Sequence, residues 1–283
     1  IRALQAAFAE LGREVFEVGL VARKSAAAPT QRKRFSPWAL VSRMPRCARE
    51  FAEYAYTSFG KAKIIAAVNA HDADFVYERY AFGNAAGVLA ARRLDKPLIL
   101  EVNSPMVLEL SRTRGLSFPK TARRLENWIF SSADRVCVVT RVLGDMLVEQ
   151  GVDPARVIVT PNGVHLEHFD YGDRALVRAS ARRALGLGDA HGDDVVLGFV
   201  GYYRDWHRLD LVLDALASPS LARARLVLIG EGPAHEALVA QVARLALGAR
   251  VTFAGPRPHR EIPALLPAFD IAAGPVPGEM HLY

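Results

Sequence analysis

The sequence is poor in cysteine and has no long hydrophobic run. Cys47 and Cys137 are the two cysteines among 283 residues. They form no CxxC pair, which excludes a disulfide framework and a four-cysteine zinc site. No apolar stretch reaches the ~18 residues that a membrane-spanning helix needs. These features suit a reducing cytosol, so we expect a cytoplasmic protein; because the chain starts at Ile1 rather than Met, an upstream targeting segment stays open.

Several sequence motifs of common enzyme classes are also missing. No G-x-G-x-x-G follows a predicted strand, and there is no P-loop and no G-x-S-x-G elbow. His165 and His168 are three residues apart, without carboxylate or cysteine partners at ligand spacing. The sequence therefore argues against a dinucleotide oxidoreductase, a P-loop enzyme, a serine hydrolase and a metal centre.

The charge balance is basic within an otherwise ordinary composition. Lys and Arg number 36 against 30 Asp and Glu, a formal charge of +6, and 51% of residues are hydrophobic. A chain of this length and composition predicts two globular domains. The positive charge favours partners that carry phosphate or other anionic groups. Nucleic acid is disfavoured, because the basic residues spread over predicted helices and form no recognised module.

Strands and helices alternate in both halves of the sequence. The predicted strands are Glu14–Val21, Asp74–Tyr77, Pro97–Val102, Arg135–Val139, Arg156–Thr160, Val195–Val200, Arg225–Ile229, Arg250–Phe253 and Asp270–Ala273. The predicted helices are Ile1–Leu11, Trp38–Ile65, Ala81–Arg93, Lys120–Ser132, Arg141–Gln150, Arg174–Leu185, Leu209–Ala217, Ala234–Leu247 and Glu261–Phe269. This alternation predicts an α/β fold with two Rossmann-like parallel-sheet domains, residues 1–169 and 170–283.

Three predicted strands of the second half end in glycine, at Gly201, Gly230 and Gly255. Ligands of open parallel sheets bind at the carboxyl ends of the strands, where glycine permits close approach to the backbone. Gly230-Glu231-Gly232-Pro233 adds a tight turn with a proline placed to open a helix. One such glycine can simply make a turn, but three in register predict a nucleotide site.

The segment after Gly201 is rich in cationic and aromatic residues. Arg204 and Arg208 lie between a strand end and a helix start, where they could neutralise a diphosphate together with the helix dipole. Trp206 could stack on a sugar or a base. The alternative is a surface arginine pair with the tryptophan wedged under the loop.

A polar cluster follows a strand of the first half. Glu101 and Asn103 lie at its carboxyl end, and Glu109 follows shortly after. A carboxylate in this position can act as a base, bind a hydroxyl group or form a structural ion pair. The sequence leaves the functional and the structural interpretations open.

Several motifs together resemble glycosyltransferase family 4. VTPNGVHLEHF is similar to its interdomain signature, which would make Asn162 and Gly163 a hinge. GFVGYYRDWHRLDLVLDAL resembles its phosphate-binding segment, LVLIGEGP its glycine turn, and VTFAGPRP its base-binding strand. The resemblance implies a GT-B fold with two domains facing a cleft, and sugar transfer from a nucleotide-diphosphate donor with retention. It implies no cofactor and no required metal.

The resemblance also assigns residues. It implies diphosphate contacts for Gly201, Arg204, His207, Arg208, Gly230, Glu231 and Gly232. It implies base contacts for Gly255, Pro256, Arg257 and Pro258. In the first half, Asn103 stands where many members have an active-site histidine, and with Glu101 it is our catalytic candidate.

The sequence departs from the family pattern in places. Tyr202 and His207 occupy positions where the family commonly has arginine and lysine. The two-glutamate motif that holds the sugar is expected at or beyond Tyr283, and a first strand is expected before Ile1. We therefore expect a fragment lacking both ends, with an incomplete donor domain and no robust turnover when isolated.

The acceptor is expected to be a glycan or a lipid-linked molecule of polysaccharide or glycoconjugate biosynthesis. The basic, aromatic-rich stretch Gln31–Lys63 suits an anionic membrane surface, which predicts peripheral association with the inner face of a membrane. A helix with a solvated basic face is the alternative. Two other functions stay open: a nucleotide-sugar epimerase on the same fold, and an inactive nucleotide-binding fragment.

Overall fold

The computed structural model describes residues 2–19, 45–188 and 194–274. These residues form two compact units, one up to Asn162 and the other from Gly163 onward, here called unit 1 and unit 2. The predicted boundary lay after Phe169. Each unit is an α/β structure around its own four-stranded, all-parallel sheet.

Unit 1 has a sheet with its strands in chain order. The strands are β1 (Val76–Arg79), β2 (Leu98–Val102), β3 (Arg135–Val138) and β4 (Val157–Val159), in the order β1-β2-β3-β4. The helices are α1 (Arg2–Glu10), α2 (Arg46–His71), α3 (Ala86–Leu94), α4 (Met106–Thr113), α5 (Pro119–Ser132) and α6 (Arg141–Glu149).

The core of unit 1 lies between its central strands and the covering helices. Leu98, Leu100 and Val102 of β2 are fully buried, at every second position as a pleated strand requires. They belong to one cluster with Ile129 and Phe130 of α5, which are also fully buried. This packing fixes the carboxyl ends of β1 and β2 and the loops that follow them.

Unit 2 has a sheet in a different order. The strands are β5 (Val195–Tyr202), β6 (Ala224–Glu231), β7 (Val251–Gly255) and β8 (Ile271–Ala272), in the order β7-β6-β5-β8. The helices are α7 (Arg174–Ala184), α8 (Leu209–Leu216), α9 (His235–Arg244) and α10 (Ile262–Leu265).

Strand β6 has both faces covered. Leu226 and Leu228 point into a cluster with residues of α8 and α9, whereas Val227 and Ile229 point into a cluster with residues of α7 and α10. A strand buried on both faces reads as an unbroken apolar run, which is what RLVLI shows. The two-layer packing holds the carboxyl ends of β5, β6 and β7 at one edge of the sheet.

The predicted parallel-sheet architecture is confirmed, but some elements differ. The strand predicted at Glu14–Val21 is wrong for its described part, because residues 13–19 pair with no strand and are mostly exposed. An extended apolar pattern becomes a strand only where a partner supplies the ladder. The helix predicted over Glu261–Phe269 shrinks to α10 between 3-10 turns, since Pro263 and Pro267 cannot donate to a helix ladder.

Other differences concern helix bounds. Helix α2 spans Arg46–His71 and continues past the predicted end at Ile65, whereas positions 38–44 of the predicted helix lie outside the described residues. Helix α4 was not predicted at all. Residues 20–44, which include much of the basic aromatic stretch, lie outside the described residues. Within the described ranges, we find no helix whose length and apolar content would let it cross a membrane.

Candidate functional site

The carboxyl ends of β5 and β6 form one continuous structure. Gly201 is paired with Gly230, and Tyr202 is paired with Glu231 in the parallel ladder. Beyond the ladder, the backbone N–H of Tyr203 donates to the Glu231 carbonyl at 2.8 Å, and Ala234 N–H donates to the Tyr203 carbonyl at 3.2 Å. The two predicted glycine turns are therefore locked together through the backbone of Tyr203.

Gly230 and Gly232 are required by this close approach of the chain. Gly230 has a φ of +133°, and a Cβ built on it would lie 1.9 Å from the Gly201 carbonyl oxygen. A Cβ on Gly232 would lie 2.4 Å from the backbone nitrogen and oxygen of Tyr203. Both glycines are thus explained by backbone packing, whether or not a ligand binds above them.

The two arginines of the segment after β5 have different surroundings. The Arg204 guanidinium carbon lies 4.8 Å from the centre of the Tyr202 ring and 5.1 Å from that of Trp206. Arg204 is exposed and forms no ion pair within the described part of the chain. We call Tyr202, Arg204 and Trp206 the arginine platform, because two rings hold a guanidinium whose charge is open to solvent.

Arg208, by contrast, is neutralised within the protein. Its Nε and Nη2 donate to Asp210 at 3.0 Å and 2.9 Å, and this pairing holds the pKa of Asp210 below its usual range. Its backbone has a φ of +45°, in the left-handed region that favours glycine. Sequence reasoning treated the two arginines alike, whereas in the structure Asp210 pairs with Arg208 and only aromatic rings flank Arg204.

His207 organises the turn that carries the platform. Its Nδ1 accepts the backbone N–H of Arg204 at 3.4 Å, and residues Asp205–His207 form a 3-10 turn. Burial, together with the charge of Arg204, lowers the pKa of the His207 imidazole below its usual range despite a hydrogen bond to the Tyr202 carbonyl. The ring is therefore neutral at neutral pH and acts as a structural acceptor for Arg204 N–H.

Tyr203 is a residue of this site that sequence reasoning missed. It is fully buried beneath the glycine turns, and burial raises the pKa of its hydroxyl. Its ring stacks on His235 with 6.0 Å between centroids, and His235 in turn contacts Phe253 edge-on. The available signal was the alternation of β5, which turns Tyr202 outward and Tyr203 inward.

The end of β7 lies at the same edge of the sheet, one strand further along. Gly255 is paired with Ile229 and has a φ of +69°, with open space where a Cβ would project. Pro256, Arg257 and Pro258 follow it as an exposed loop. The structure therefore brings the three strand-end glycines to one edge, as parallel strands require.

The catalytic candidates lie in unit 1, at the end of β2. Glu101 accepts Arg79 Nε at 2.9 Å and the Tyr77 hydroxyl at 3.0 Å. Burial raises the pKa of Glu101, but the bonds from Arg79, Tyr77 and the Asn103 side chain outweigh it and hold that pKa below its usual range. Glu101 is thus held ionised in a structural ion pair, which makes it a weak proton donor.

A second carboxylate organises the loop that carries Asn103. Glu126 is 2% exposed, and its Oε1 accepts the Tyr80 hydroxyl at 3.1 Å and the backbone N–H of Val107 at 3.0 Å. This contact fixes the start of α4 directly after the Asn103 loop. The Oδ1 atom of Asn103 is buried and has no hydrogen-bond partner within the described residues.

The remaining predicted positions have simpler surroundings. Asn162 and Gly163 lie at the division between the two units and are exposed. His165 and Glu167 form a solvent-exposed pair at 3.3 Å. No group of three His, Cys, Asp or Glu side chains suited to a metal ion occurs in the ranges that the structure describes.

Comparison with known proteins decides the family. The family model described as Glycosyltransferase Family 4 matches residues 2–168, and the one described as Glycosyl transferases group 1 matches residues 194–281. The chain belongs to glycosyltransferase family 4. The fold is accordingly GT-B, with two Rossmann-like parallel-sheet domains.

The D-inositol 3-phosphate glycosyltransferase of Mycobacterium tuberculosis (strain H37Rv) is 31% identical over 211 residues, which cover 71% of this chain and 42% of the relative. The matched part therefore spans less than half of that relative.

Structural similarity concerns the fold alone. Anabaena Alr3699/HepE in complex with UDP has a TM-score of 0.63 at 21% identity, covering 76% of this chain and 56% of that one. Sucrose-phosphate synthase from Thermosynechococcus elongatus has a TM-score of 0.56 at 19% identity, covering 75% and 53% respectively.

Proposed function

We propose that this family 4 chain binds a nucleotide-diphosphate sugar in unit 2 and takes part in transferring the sugar, with retention and without a metal, to an acceptor bound by unit 1. The acceptor class we propose is a glycan or lipid-linked molecule of polysaccharide or glycoconjugate synthesis. An HepE structure contains UDP-glucose and supports a nucleotide sugar as donor.

The observation that supports this proposal most is the arginine platform at the strand-end edge. A departing nucleoside diphosphate develops negative charge, and a cation fixed in advance stabilises it without reorganisation. Arg204 meets this requirement, because the Tyr202 and Trp206 rings hold it and no carboxylate of the described residues neutralises it. Gly201 and Gly230 pair in the ladder and bring the ends of β5 and β6 together beside this cation.

The loop after β7 is the proposed base-binding segment. Gly255 leaves open space beside the end of β6, and Pro256 and Pro258 limit the flexibility of the exposed loop. A rigid loop can present backbone groups to the edge of a base at small entropic cost. Arg257 lies between the two prolines, where it would lie near the nucleotide.

For unit 1 we propose a binding role for Glu101 and Asn103. Glu101 is ionised by its bonds from Arg79 and Tyr77, so it can accept a hydrogen bond from an acceptor hydroxyl but holds no proton to give. Asn103 cannot exchange protons and offers its Oδ1 as an acceptor. Proton transfer at the acceptor hydroxyl would then fall to the leaving diphosphate or to water.

Nucleotide binding is the first experiment. Thermal unfolding of the chain is measured with UDP, UDP-glucose, ADP and ADP-glucose, with and without EDTA. We expect at least one nucleotide diphosphate to raise the unfolding temperature, unchanged by EDTA, since ligand binding to the folded state stabilises it. Absence of a shift with every nucleotide would contradict the donor site, and a shift abolished by EDTA would contradict metal independence.

Product analysis then separates the two enzymatic alternatives. With an acceptor present, transfer releases free nucleoside diphosphate, whereas an epimerase returns the donor with an inverted sugar centre. Membrane association is tested by co-sedimentation with vesicles of anionic and neutral lipid at low and high salt, because an electrostatic contact weakens as salt increases. Binding that ignores both lipid charge and salt would contradict an anionic membrane partner.

A further inference from the structure

A small cavity in unit 1 is lined by three arginines. It has a volume of about 150 Å³ and is bounded by Arg46, Arg49, Glu50, Arg114 and Gly115. It lies between the first turn of α2 and the loop that joins α4 to α5. This volume is many times larger than the roughly 10–15 Å³ that a single water molecule needs, so a tetrahedral oxyanion fits in the cavity.

The carboxylate in the cavity wall is already used. Glu50 is 2% exposed, and it accepts the backbone N–H groups of Ser117 at 2.5 Å and Phe118 at 3.2 Å. These bonds close the loop against α2. Glu50 therefore forms part of the cavity wall and orders the loop, because each of its two carboxylate oxygens accepts one backbone N–H.

One arginine of the cavity, Arg114, is held in place by an ion pair and an aromatic ring. Arg114 Nη2 bridges both oxygens of Glu53 at 3.0 Å and 2.9 Å, and the guanidinium lies 5.5 Å from the Phe82 ring centre. A Cβ on Gly115 would lie 2.9 Å from Arg46 Nη1, so this glycine leaves room for the Arg46 head group. Preordered guanidinium groups are the preferred ligands of phosphate.

Arg46 forms no ion pair with a described residue, because Glu50 of the cavity wall is bonded to two backbone N–H groups instead. Helix α2 has no acidic residue in its first turn and no side-chain cap. Cations at a helix N-terminus are disfavoured by the helix dipole, which is partly positive at that end. An anion in the cavity would offset both the dipole and the arginine charges.

The cavity also lies on the ligand side of the sheet. The Thr57 hydroxyl of α2 bonds Gly83 O and Ala85 N at 3.2 Å each, just past the carboxyl end of β1. Arg46 precedes Thr57 on the same helix and lies about 16 Å from it along the helix axis, at 1.5 Å per residue. We propose that Arg46 and Arg49, next to the Arg114–Glu53 ion pair, form a binding site for a phosphomonoester group, as carried by a small molecule or by a lipid head group.

The test is calorimetric titration of the chain with inorganic phosphate and glycerol phosphate at low ionic strength. We expect one site whose affinity falls about tenfold in Arg46→Gln, since one charge-assisted bond is lost. Arg49→Gln should show a similar loss. Arg93→Gln, an equal charge change at an exposed position of α3, should stay within about twofold, and Arg204→Gln should leave this site intact.

Binding to vesicles of phosphatidylcholine, with and without phosphatidic acid, shows whether the phosphomonoester belongs to a lipid or to a soluble molecule. Arg46-dependent binding of glycerol phosphate supports a soluble ligand, and Arg46-dependent binding of phosphatidic acid vesicles alone supports a lipid head group. No binding in any arm, equal binding by Arg46→Gln and Arg93→Gln, or loss through Arg204→Gln alone overturns the proposal. UDP titration of the same variants is independent, so a failed donor site would leave this anion site standing.

Discussion

The carboxyl ends of the two sheets expose opposite chemistry. In unit 2 glycines lie near the strand ends, and Arg204 beside them lies open between two aromatic rings, whereas the neighbouring Arg208 is paired with Asp210. In unit 1 the strand ends carry carboxylates, and Glu78 and Glu101 are each bonded by neighbouring donors. Bare backbone with a fixed cation suits an anionic ligand, whereas ordered carboxylates suit hydroxyl groups. The difference supports assigning donor and acceptor to different units.

The largest expected effect comes from filling the glycine contact of unit 2. Gly230→Ala places a methyl group 1.9 Å from the Gly201 oxygen at a φ of +133°. Overpacking against backbone that cannot move, added to an unfavourable φ, should lower the free energy of unfolding by roughly 3 kcal/mol or more. Urea unfolding followed by circular dichroism measures the loss, which would also separate the strand ends and abolish nucleotide binding.

Gly248 offers the matched control for this substitution. A Cβ there meets no atom within 4 Å, and its φ lies outside the left-handed region. Gly248→Ala should change the free energy of unfolding by less than about 1 kcal/mol. Equal losses for the two variants would show that the clash is absorbed and that Gly230 is not required by packing.

Parts of this site could be predicted from the sequence where a residue's role depends on its neighbours in the chain. Local patterns were sufficient to predict strand β6 from its apolar run and the turns from the glycines at strand ends. Both depend on residues that are adjacent in the sequence. Asp210 is only two residues from Arg208, yet the charge pattern alone could not show whether this carboxylate would pair with Arg204 or with Arg208.

Long-range contacts explain most of what was missed. Glu126 bonds Tyr80, 46 residues away, and Glu50 bonds Ser117, 67 residues away. No sequence period links such pairs, so the ordered loop before α4 and the arginine cavity were not predicted. The strand expected at Glu14 failed for the same reason, since pairing depends on a partner rather than on the segment itself.

The carboxylates of unit 1 can be probed by pH. Glu78 bonds Asn84 Nδ2 at 2.8 Å and Gly87 N–H at 3.1 Å, yet burial outweighs both bonds and raises its pKa to about 7. Between the ordinary value of 4.5 and about 7, the folded protein keeps a proton that the unfolded chain has lost. Stability must therefore fall as pH rises through this window, by roughly 3 kcal/mol in total.

Glu78→Gln isolates this contribution. Glutamine cannot ionise, so the variant should lack the decline between pH 5 and pH 8, although it loses the acceptor for one of the two N–H groups. The measurement is urea unfolding of both proteins at four pH values, compared as a difference. Parallel curves for wild type and variant would show that Glu78 is already ionised at pH 5.

The arginine platform predicts unequal effects of two like substitutions. Arg204→Gln removes the open cation and should weaken nucleoside diphosphate binding about tenfold, a change of about 1.4 kcal/mol. Arg208→Gln removes a cation that Asp210 already neutralises and should weaken binding less than threefold. Calorimetric titration of both variants with UDP measures these affinities. Equal losses of affinity would show that the two arginines contribute alike to nucleotide binding.

The smallest expected effect concerns the backbone of Arg208. Its φ of +45° is unfavourable for a residue with a Cβ, by roughly 1 kcal/mol, and glycine adopts it freely. Arg208→Gly relieves this strain, but it gives up an exposed, solvent-screened ion pair and increases the conformational freedom of the unfolded chain. These terms nearly cancel, so thermal unfolding should shift little, whereas Arg208→Ala loses the ion pair without relieving the strain and should be less stable than Arg208→Gly. The reverse order, with Arg208→Ala more stable than Arg208→Gly, would mean that the strain at this φ is smaller than the conformational freedom that glycine adds to the unfolded chain. Because both variants lack the contact with Asp210, their order reports on the backbone of the turn alone.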